Sequence, residues 1–148
     1  MAILSGAKYV DIEYEAETDI REEIIEFAHN HNCLVILSYH NYEKTPPKDQ
    51  LELIIKQSKQ WNADIVKIAT MALNVMDCSV VMSLYSIYEK IIAFCMGETG
   101  KITRVAAPLL GAEFTYASWN EQRVTAPGQL TVDELEKIYA LINRTGKQ

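Results

Sequence analysis

A single lysine interrupts an otherwise apolar run of the sequence, Ile65-Val66-Lys67-Ile68-Ala69. An ammonium group in such a run must either pair with a carboxylate or give up its proton, because burying an isolated charge is costly. A lysine kept away from water can attack a carbonyl carbon and form an imine, which then acts as an electron sink for loss of a neighbouring proton. Lys67 is therefore the first candidate for covalent chemistry. The alternative is a lysine at a strand edge whose ammonium group extends to water.

His40 ends a second apolar run, after Ser38-Tyr39, and is the candidate for the accompanying proton transfer. Imidazole has an ordinary pKa of about 6.5, so it can take up and release a proton near neutral pH. The alternative is a histidine with a purely structural hydrogen bond. His29 and His31 lie at the end of a predicted helix, where a partial positive charge is favourable, and we prefer this interpretation to metal binding.

Other charged residues follow apolar runs in the same way. Asp11 and Glu13 come at the end of the first run, and Arg104 follows the fourth. Ligands of α/β sheets and barrels bind at the carboxyl ends of the strands, so we expect these residues at the same rim as Lys67 and His40. The alternative for Asp11 and Glu13 is that they are solvated charges at a strand end.

The scaffold for these residues is predicted from the alternation of apolar runs with helical patterns. Strands are predicted at residues 7–12, 33–38, 65–69, 91–96 and 114–117. The first helix is predicted to begin at a cap formed by Thr18-Asp19, with Asp19 and Glu22 as a capping box, and the second to run from Pro46-Pro47 through Ser58. The third and fourth are predicted over 74–88 and 103–110. The fifth is predicted from a capping box at Thr131 to Asn143. Strands that are apolar on both faces and alternate with helices are typical of a parallel sheet, so the predicted fold class is α/β.

Two segments are predicted to lack regular structure. Residues 118–130 are polar and contain Pro127-Gly128, which makes them a candidate functional loop over the open end of the sheet. The tail after Arg144 is expected to be frayed.

The composition favours one soluble unit. The chain has 148 residues, of which 49% are hydrophobic, and we expect a single domain over residues 1–148. A formal net charge of −6 with interspersed signs excludes the basic footprint of a nucleic-acid-binding protein. Residues 1–8 lack the basic start of a signal peptide, and no apolar run approaches the roughly 18 residues of a membrane helix. We therefore expect an unprocessed protein that binds neither nucleic acid nor membrane.

The three cysteines favour a reducing compartment. Cys33, Cys78 and Cys95 are odd in number, widely spaced and surrounded by apolar residues, so we expect free thiols and a cytoplasmic location. Their spacing does not match that of zinc ligands, and no metal site is predicted. Gly97-Glu98-Thr99-Gly100 is open to two interpretations, a phosphate-binding loop or a tight turn, and we prefer the turn.

Taken in order, these residues resemble type I 3-dehydroquinate dehydratase, the Schiff-base enzyme of the shikimate pathway of aromatic amino-acid biosynthesis. The resemblance covers nearly the whole chain and rests on five segments: Tyr9-Val10-Asp11-Ile12-Glu13, Ser38-Tyr39-His40-Asn41-Tyr42, Asp64-Ile65-Val66-Lys67-Ile68-Ala69, Met96-Gly97-x-x-Gly100-x-x-Thr103-Arg104 and Ala126-Pro127-Gly128-Gln129. Each segment alone is weak evidence, but five in the same order and spacing argue against a chance match. The resemblance implies a (β/α)8 TIM barrel, of which this chain would supply strands four to eight.

The resemblance also implies roles for single residues. Lys67 would form the imine with 3-dehydroquinate, and His40 would remove the neighbouring proton and protonate the departing hydroxyl, which yields 3-dehydroshikimate. Arg104 would hold the substrate carboxylate through a bidentate pair. No metal or organic cofactor is implied, because the imine itself supplies the electron sink. The other implied roles are hydrogen bonds to substrate hydroxyls for Thr125 and Gln129, packing against the substrate ring for Tyr42, Met96 and Tyr116, and orientation of Lys67 and His40 for Asp11 and Glu13.

One departure from the family concerns length. A single-chain barrel typically has about 250 residues and eight βα units, whereas five units are predicted here, so the first three are expected to be missing. Five strands cannot close such a barrel, and their exposed edges favour a homodimer; a separate N-terminal partner and an open five-stranded sheet are the alternatives. A catalytically inactive fragment or scaffold and a Schiff-base aldolase are the competing functions, and Arg104, Thr125 and Gln129 suit the aldolase less well.

Overall fold

The computed structural model contains one sheet of four parallel strands in the order β1-β2-β3-β4. It describes residues 2–120, 122 and 125–143 of the chain. The strands are β1 Tyr9–Glu13, β2 Leu34–Asn41, β3 Ile65–Met71 and β4 Ile91–Met96. Each strand pairs with the next one along the chain, because the intervening helix returns the chain to the same end of the sheet. The predicted α/β class and the first four predicted strands are confirmed.

In the described residues, five α-helices accompany the strands: α1 Thr18–Asn30, α2 Lys48–Gln60, α3 Val75–Met82, α4 Lys101–Leu109 and α5 Val132–Ile142. Ile3–Ser5 and Ser83–Ser86 are short 3-10 helices, and the second of them continues the helix predicted over 74–88. The capping box predicted at Thr131 is present, with Glu134 as its partner. The cap predicted at Thr18-Asp19 is wrong, because Glu17 occupies the N-cap position of α1 without a side-chain hydrogen bond. Asp19 instead lies in the first turn, where a carboxylate interacts favourably with the partial positive charge of the helix start.

The fifth strand predicted at 114–117 is wrong, since these residues form no ladder with β4 or with any other described strand. Their apolar side chains are instead used for packing: Phe114 and Tyr116 lie against the inner cluster of the sheet, and Ala117 contacts α5 through a separate cluster. The alternation that predicts a strand is thus real, but it is satisfied by packing of side chains and not by backbone pairing. A single bridge, Ser118 with Thr131, ends the segment.

Side chains of β3 alternate between two apolar clusters. Val66 and Ile68 pack with α2 and α3 on the outer face, whereas Ile65 and Ala69 belong to the cluster on the inner face. Lys67 lies between Ile65 and Ala69 in the alternation, so its side chain projects to the inner face. The inner face is therefore the side of the sheet on which the polar residues at the strand ends meet.

The structure also bears on the predictions for the cysteines, the Gly97–Gly100 turn and membrane-spanning helices. Cys33, Cys78 and Cys95 are buried and free, as predicted. Gly97 has a φ of 83° and its carbonyl accepts a hydrogen bond from the Gly100 amide, which is the geometry of the predicted tight turn. The described part of the chain contains no helix with the length and apolar character needed to cross a membrane. The predicted frayed tail after Arg144 lies outside the described residues.

Candidate active site

The register of the sheet brings the polar residues of three strands to one place. Glu13 of β1 is the Cα partner of Ser38 in β2, and Ser38 is the partner of Lys67 in β3. Residues two apart along a strand project to the same face, so Asp11 and His40 join this row. Glu13 and His40 lie at or near the carboxyl ends of β1 and β2, as predicted, whereas Lys67 lies within β3 and is not at its carboxyl end.

Lys67 is buried and paired. Its Nζ atom lies 2.8 Å from Oδ2 of Asp11, and its side chain is 10% exposed. The second carboxylate oxygen of Asp11, Oδ1, accepts a short hydrogen bond from the hydroxyl of Ser38. The ring of Tyr116 covers Lys67, with its centroid 4.8 Å from Nζ. The alternative of a lysine that extends to water is therefore wrong, because Nζ contacts the Asp11 carboxylate and the side chain is buried.

His40 forms a second pair beside the first. Its Nδ1 atom lies 2.8 Å from Oε2 of Glu13. A carboxylate only accepts hydrogen bonds, so Nδ1 carries the proton in the neutral form of the ring, and Nε2 is then the nitrogen that can accept one. The ring of Tyr42 stacks on the imidazole, with centroids 5.9 Å apart and planes 14° from parallel. These two contacts hold the imidazole in one orientation.

Arg104 of α4 is the most deeply buried charge of the site, at 1% exposure. Its guanidinium stacks on the ring of Phe94, with Cζ 4.3 Å from the ring centroid. Its Nε and Nη2 atoms have no hydrogen-bond partner among the described residues. Burial lowers the pKa of Arg104 to about 10, so the side chain is still charged at neutral pH. A buried cation with free donors is a binding site for an anion.

The predicted loop after α4 contributes two further polar residues. The backbone amide and the hydroxyl of Thr125 both donate to Oε1 of Gln129, at 2.8 and 3.0 Å. This part of the loop is fastened to the turn after β4, since the Gly97 amide donates to the Pro127 carbonyl at 3.0 Å. With its oxygen occupied, the amide nitrogen of Gln129 is the part of that side chain free to donate to a ligand.

These elements enclose a cavity of about 190 Å³, lined by His40, Tyr42, Lys67, Ala69, Phe94, Met96, Arg104, Tyr116, Thr125, Ala126 and Gln129. The structure thus gathers around one cavity every residue for which a direct ligand contact is expected. Asp11 and Glu13 are not part of the lining, and each contacts one of the lining residues from behind.

The electrostatics of the cavity are dominated by buried groups. Burial, with a smaller contribution from the charge of Asp11, raises the pKa of Tyr116 to about 12, so this phenol stays neutral and acts as an apolar wall. Lys67, Arg104 and Gln129 supply nitrogen donors to the cavity, and no carboxylate is among the described residues that line it. Such a surface favours an anionic ligand.

Two residues of the site have no role assigned from the sequence. The ring of Phe94 stacks on the guanidinium of Arg104. The sequence feature that could have indicated this role is that Phe94 lies two residues before Met96 and so on the same face of β4. The hydroxyl of Ser38 donates to the carboxylate of Asp11. The sequence feature that could have indicated this role is a small polar residue in an apolar strand, two positions before His40. Both depend on contacts between different strands or helices, which no local pattern reports.

The fold and the cavity define an α/β protein with a lysine-centred site at the carboxyl ends of parallel strands. A family model described as type I 3-dehydroquinase matches residues 1–145. The chain belongs to the type I 3-dehydroquinase family.

Curated relatives agree with this assignment. The 3-dehydroquinate dehydratase of Pyrococcus abyssi is 38% identical over 135 residues, an alignment that covers 91% of this chain and 60% of the relative. The enzyme of the same name from Methanococcus maripaludis is 41% identical over 145 residues, with 95% and 64% covered. The chain therefore spans about 60% of the length of the curated relatives that it matches.

Solved structures show the same likeness. The type I 3-dehydroquinate dehydratase of Clostridium difficile superposes with a TM-score of 0.86 at 28% identity, over 98% of this chain and 59% of that one. The 3-dehydroquinate dehydratase of Aquifex aeolicus superposes with a TM-score of 0.79 at 28% identity, over 93% and 61%. The four-stranded parallel sheet is thus similar to part of these enzymes.

Proposed function

We propose that this chain provides the Schiff-base site of a 3-dehydroquinate dehydratase, a lyase that converts 3-dehydroquinate to 3-dehydroshikimate. The observation that carries the proposal is the cavity in which a buried lysine, an imidazole and a guanidinium meet, with Nε and Nη2 of the guanidinium free of hydrogen bonds to the described residues. The curated relatives of this chain are named 3-dehydroquinate dehydratase, which also supports the proposal. An amine, a base and an anion site are the groups that dehydration of a carboxylated hydroxyketone through an imine requires.

Lys67 is the nucleophile in this proposal. Its ammonium group first passes a proton to Asp11, which lies 2.8 Å away. The free amine then adds to the substrate ketone, and loss of water from the adduct leaves a protonated imine. The positive nitrogen of the imine accepts the electron pair that is set free when a neighbouring C–H bond breaks. The burial of Lys67 and its contact with Asp11 support this role, because they place the nitrogen in the cavity beside a group that can accept its proton.

His40 moves the proton in this proposal. Nε2, left unprotonated by the hydrogen bond of Nδ1 to Glu13, removes the proton next to the imine. The resulting enamine expels the hydroxyl on the following carbon, and the imidazolium returns its proton to that hydroxyl, which leaves as water. A second water molecule then hydrolyses the imine, so that the ketone product is released and Lys67 is restored.

The remaining residues of the cavity bind the substrate in this proposal. Arg104 pairs with the substrate carboxylate through its free Nε and Nη2 donors. Thr125 and Gln129 contact the hydroxyl groups of the ring, while its carbon skeleton packs against the other lining side chains, Tyr42, Met96 and Tyr116. The aromatic and thioether surfaces suit an alicyclic ring that is apolar on its faces.

We also infer that this sheet is one part of a (β/α)8 barrel completed by further polypeptide, with a second copy of the chain as the partner. The inference is supported by β1 and β4, which are the edge strands of the described sheet, and by apolar side chains on the α3 and α4 side, since Val75, Met76 and Ile102 are more than 60% exposed. Buried free cysteines support a reducing, cytoplasmic location. Light scattering should give the mass of a dimer, and a clean monomer would argue against the partner.

Borohydride trapping tests the proposed activity. Incubation with 3-dehydroquinate and borohydride should add the reduced substrate to the peptide that contains Lys67, as read by mass spectrometry. The Lys67→Met variant keeps the length of the side chain without the amine and should not be labelled. Labelling of other lysines with Lys67 unmodified would refute the proposal.

A further inference from the structure

Ser38 is fully buried beside the proposed nucleophile without lining the cavity. Its hydroxyl donates to Oδ1 of Asp11, which is the carboxylate oxygen that Lys67 does not contact. We propose that Ser38 is a positioning residue, which holds the Asp11 carboxylate against Lys67 and thereby sets the reactivity of the Lys67 amine. This proposal rests on the proposed function of Lys67 and deepens it.

The order of the strands explains why such a residue is needed. Asp11 belongs to β1 and Lys67 to β3, and these strands are separated by β2. Neighbouring strands lie about 4.8 Å apart, so the two backbones are separated by roughly twice that distance. The ion pair therefore forms across the position of Ser38, the direct Cα partner of Lys67. A long side chain at this position would block the contact, and an apolar one would leave Oδ1 without its donor.

The hydroxyl of Ser38 acts on Lys67 through the carboxylate of Asp11. Donation from Ser38 fixes the far oxygen of Asp11, so that the near oxygen stays in place to accept the proton that leaves the Lys67 ammonium group. The other charged groups near Lys67 are arranged differently: Glu13 is bonded to His40, and Arg104 stacks on a phenyl ring. The aromatic ring that covers Nζ belongs to Tyr116 and stays neutral. Asp11 is thus the carboxylate through which residue 38 can act.

Three variants separate the hydroxyl from the packing at this position. Ser38→Ala removes the donor, Ser38→Cys keeps a side chain of similar shape with a poor donor, and Ser38→Thr keeps the hydroxyl. Each folded variant is treated with formaldehyde and cyanoborohydride over pH 6 to 10, and methylation of Lys67 is followed by mass spectrometry. The reaction proceeds through an imine of Lys67 and needs no substrate. Lys56, whose side chain is 60% exposed on α2, is the reference lysine in the same samples.

Loss of the donor should shift the pH profile of Lys67 methylation and lower its rate near neutral pH by about tenfold, because Asp11 is then no longer held where it accepts the ammonium proton. Ser38→Ala and Ser38→Cys should both show this shift, Ser38→Thr should resemble the original chain, and Lys56 should be unaffected in all of them. With 3-dehydroquinate, Ser38→Ala should lower kcat with little change in KM, because residue 38 does not line the cavity.

An unchanged profile in Ser38→Ala or Ser38→Cys would overturn the proposal. Equal loss in folded Ser38→Thr would overturn it as well, since packing and not the hydroxyl would then be responsible. The formaldehyde assay also keeps the two proposals separate. A chain whose Lys67 methylation depends on Ser38, but which 3-dehydroquinate and borohydride do not label, would refute the proposed function and support the positioning role.

Discussion

Nζ of Lys67 lies 2.8 Å from Oδ2 of Asp11, although the two residues belong to strands that are not neighbours in the sheet. The contact spans a third strand, and Ser38 of that strand donates to the other carboxylate oxygen of Asp11, Oδ1. A charged pair of this kind satisfies the buried ammonium and also provides an acceptor for the proton that must leave before the amine can react. The same ion pair thus stabilises the buried Lys67 side chain and takes part in the proposed chemistry.

Asp11→Asn should weaken both functions of the pair. The Asp11 side chain is 37% exposed, so we expect a loss of about 1 to 3 kcal/mol in the free energy of unfolding, less than for a fully buried pair. Lys67 should also be labelled more slowly by 3-dehydroquinate and borohydride, because its proton acceptor is gone. Urea unfolding and mass spectrometry measure the two effects. Asp19→Asn on the exposed start of α1 is the control, and similar losses in both variants would contradict this role of Asp11.

Glu13→Gln should separate activity from stability. Glu13 is mostly exposed, so removal of its charge should change the free energy of unfolding by less than about 1 kcal/mol. Turnover should fall by about tenfold or more, because the imidazole loses the carboxylate that orients it and stabilises its charged form. The rate of 3-dehydroshikimate formation, followed by its absorbance, measures the effect. Glu15→Gln, an exposed neighbour in the chain, should be silent, and full activity in Glu13→Gln would exclude the orienting role.

Arg104→Met should stabilise the fold while removing the anion site. Burial lowers the pKa of Arg104 from its ordinary value to about 10, which means that the folded state disfavours the charged form. Below pH 10 the group is charged in both the folded and the unfolded chain, so this cost is fully present at neutral pH and is relieved only as the pH rises through 10 toward the ordinary pKa of arginine. Each pKa unit corresponds to about 1.4 kcal/mol, and with the lost stacking on Phe94 we expect a net gain of about 1 to 2 kcal/mol.

The matched control for this substitution is Arg21→Met. Arg21 is also buried, but it donates to the Ala16 carbonyl at 3.0 Å and stacks on Trp61, so its replacement should destabilise the chain. The difference between Arg104→Met and the original chain should be constant from pH 6 to 9 in urea unfolding. A destabilised Arg104→Met, or one that binds 3-dehydroquinate normally, would show that the guanidinium is satisfied in another way.

Gly128→Ala should displace the loop that carries Thr125 and Gln129. A Cβ atom at position 128 would lie 2.2 Å from the Gly97 carbonyl oxygen, and the φ of 71° is unfavourable for alanine. We expect KM for 3-dehydroquinate to rise about tenfold or more, with Lys67 still open to methylation by formaldehyde. Gly6→Ala has a similar φ of 84° and no atom within 4 Å of the added carbon, so it isolates the effect of backbone strain. An unaltered KM in Gly128→Ala would indicate that the loop does not hold the substrate.

Local patterns were sufficient for most of the scaffold. Four strands, all five helices and the capping box at Thr131 follow from apolar runs, helical periodicity and side chains that bond to their own backbone. The failures are the cap predicted at Thr18-Asp19 and the fifth strand, and the second of these concerns a backbone partner. Residues 114–117 have the alternation of a strand, but a strand exists only where another strand supplies hydrogen bonds, and that is not a property of the segment itself.

The chain order of residue types is enough to single out Lys67, His40 and Arg104, because a charge or an imidazole next to an apolar strand is unusual wherever the strand lies in the fold. The sequence does not show which residues contact those three. That Asp11 reaches Lys67, that Ser38 lies between them and that Phe94 supports Arg104 depend on strand order, on register and on the placement of α4. Such contacts join residues far apart along the chain, so only the packed structure specifies them.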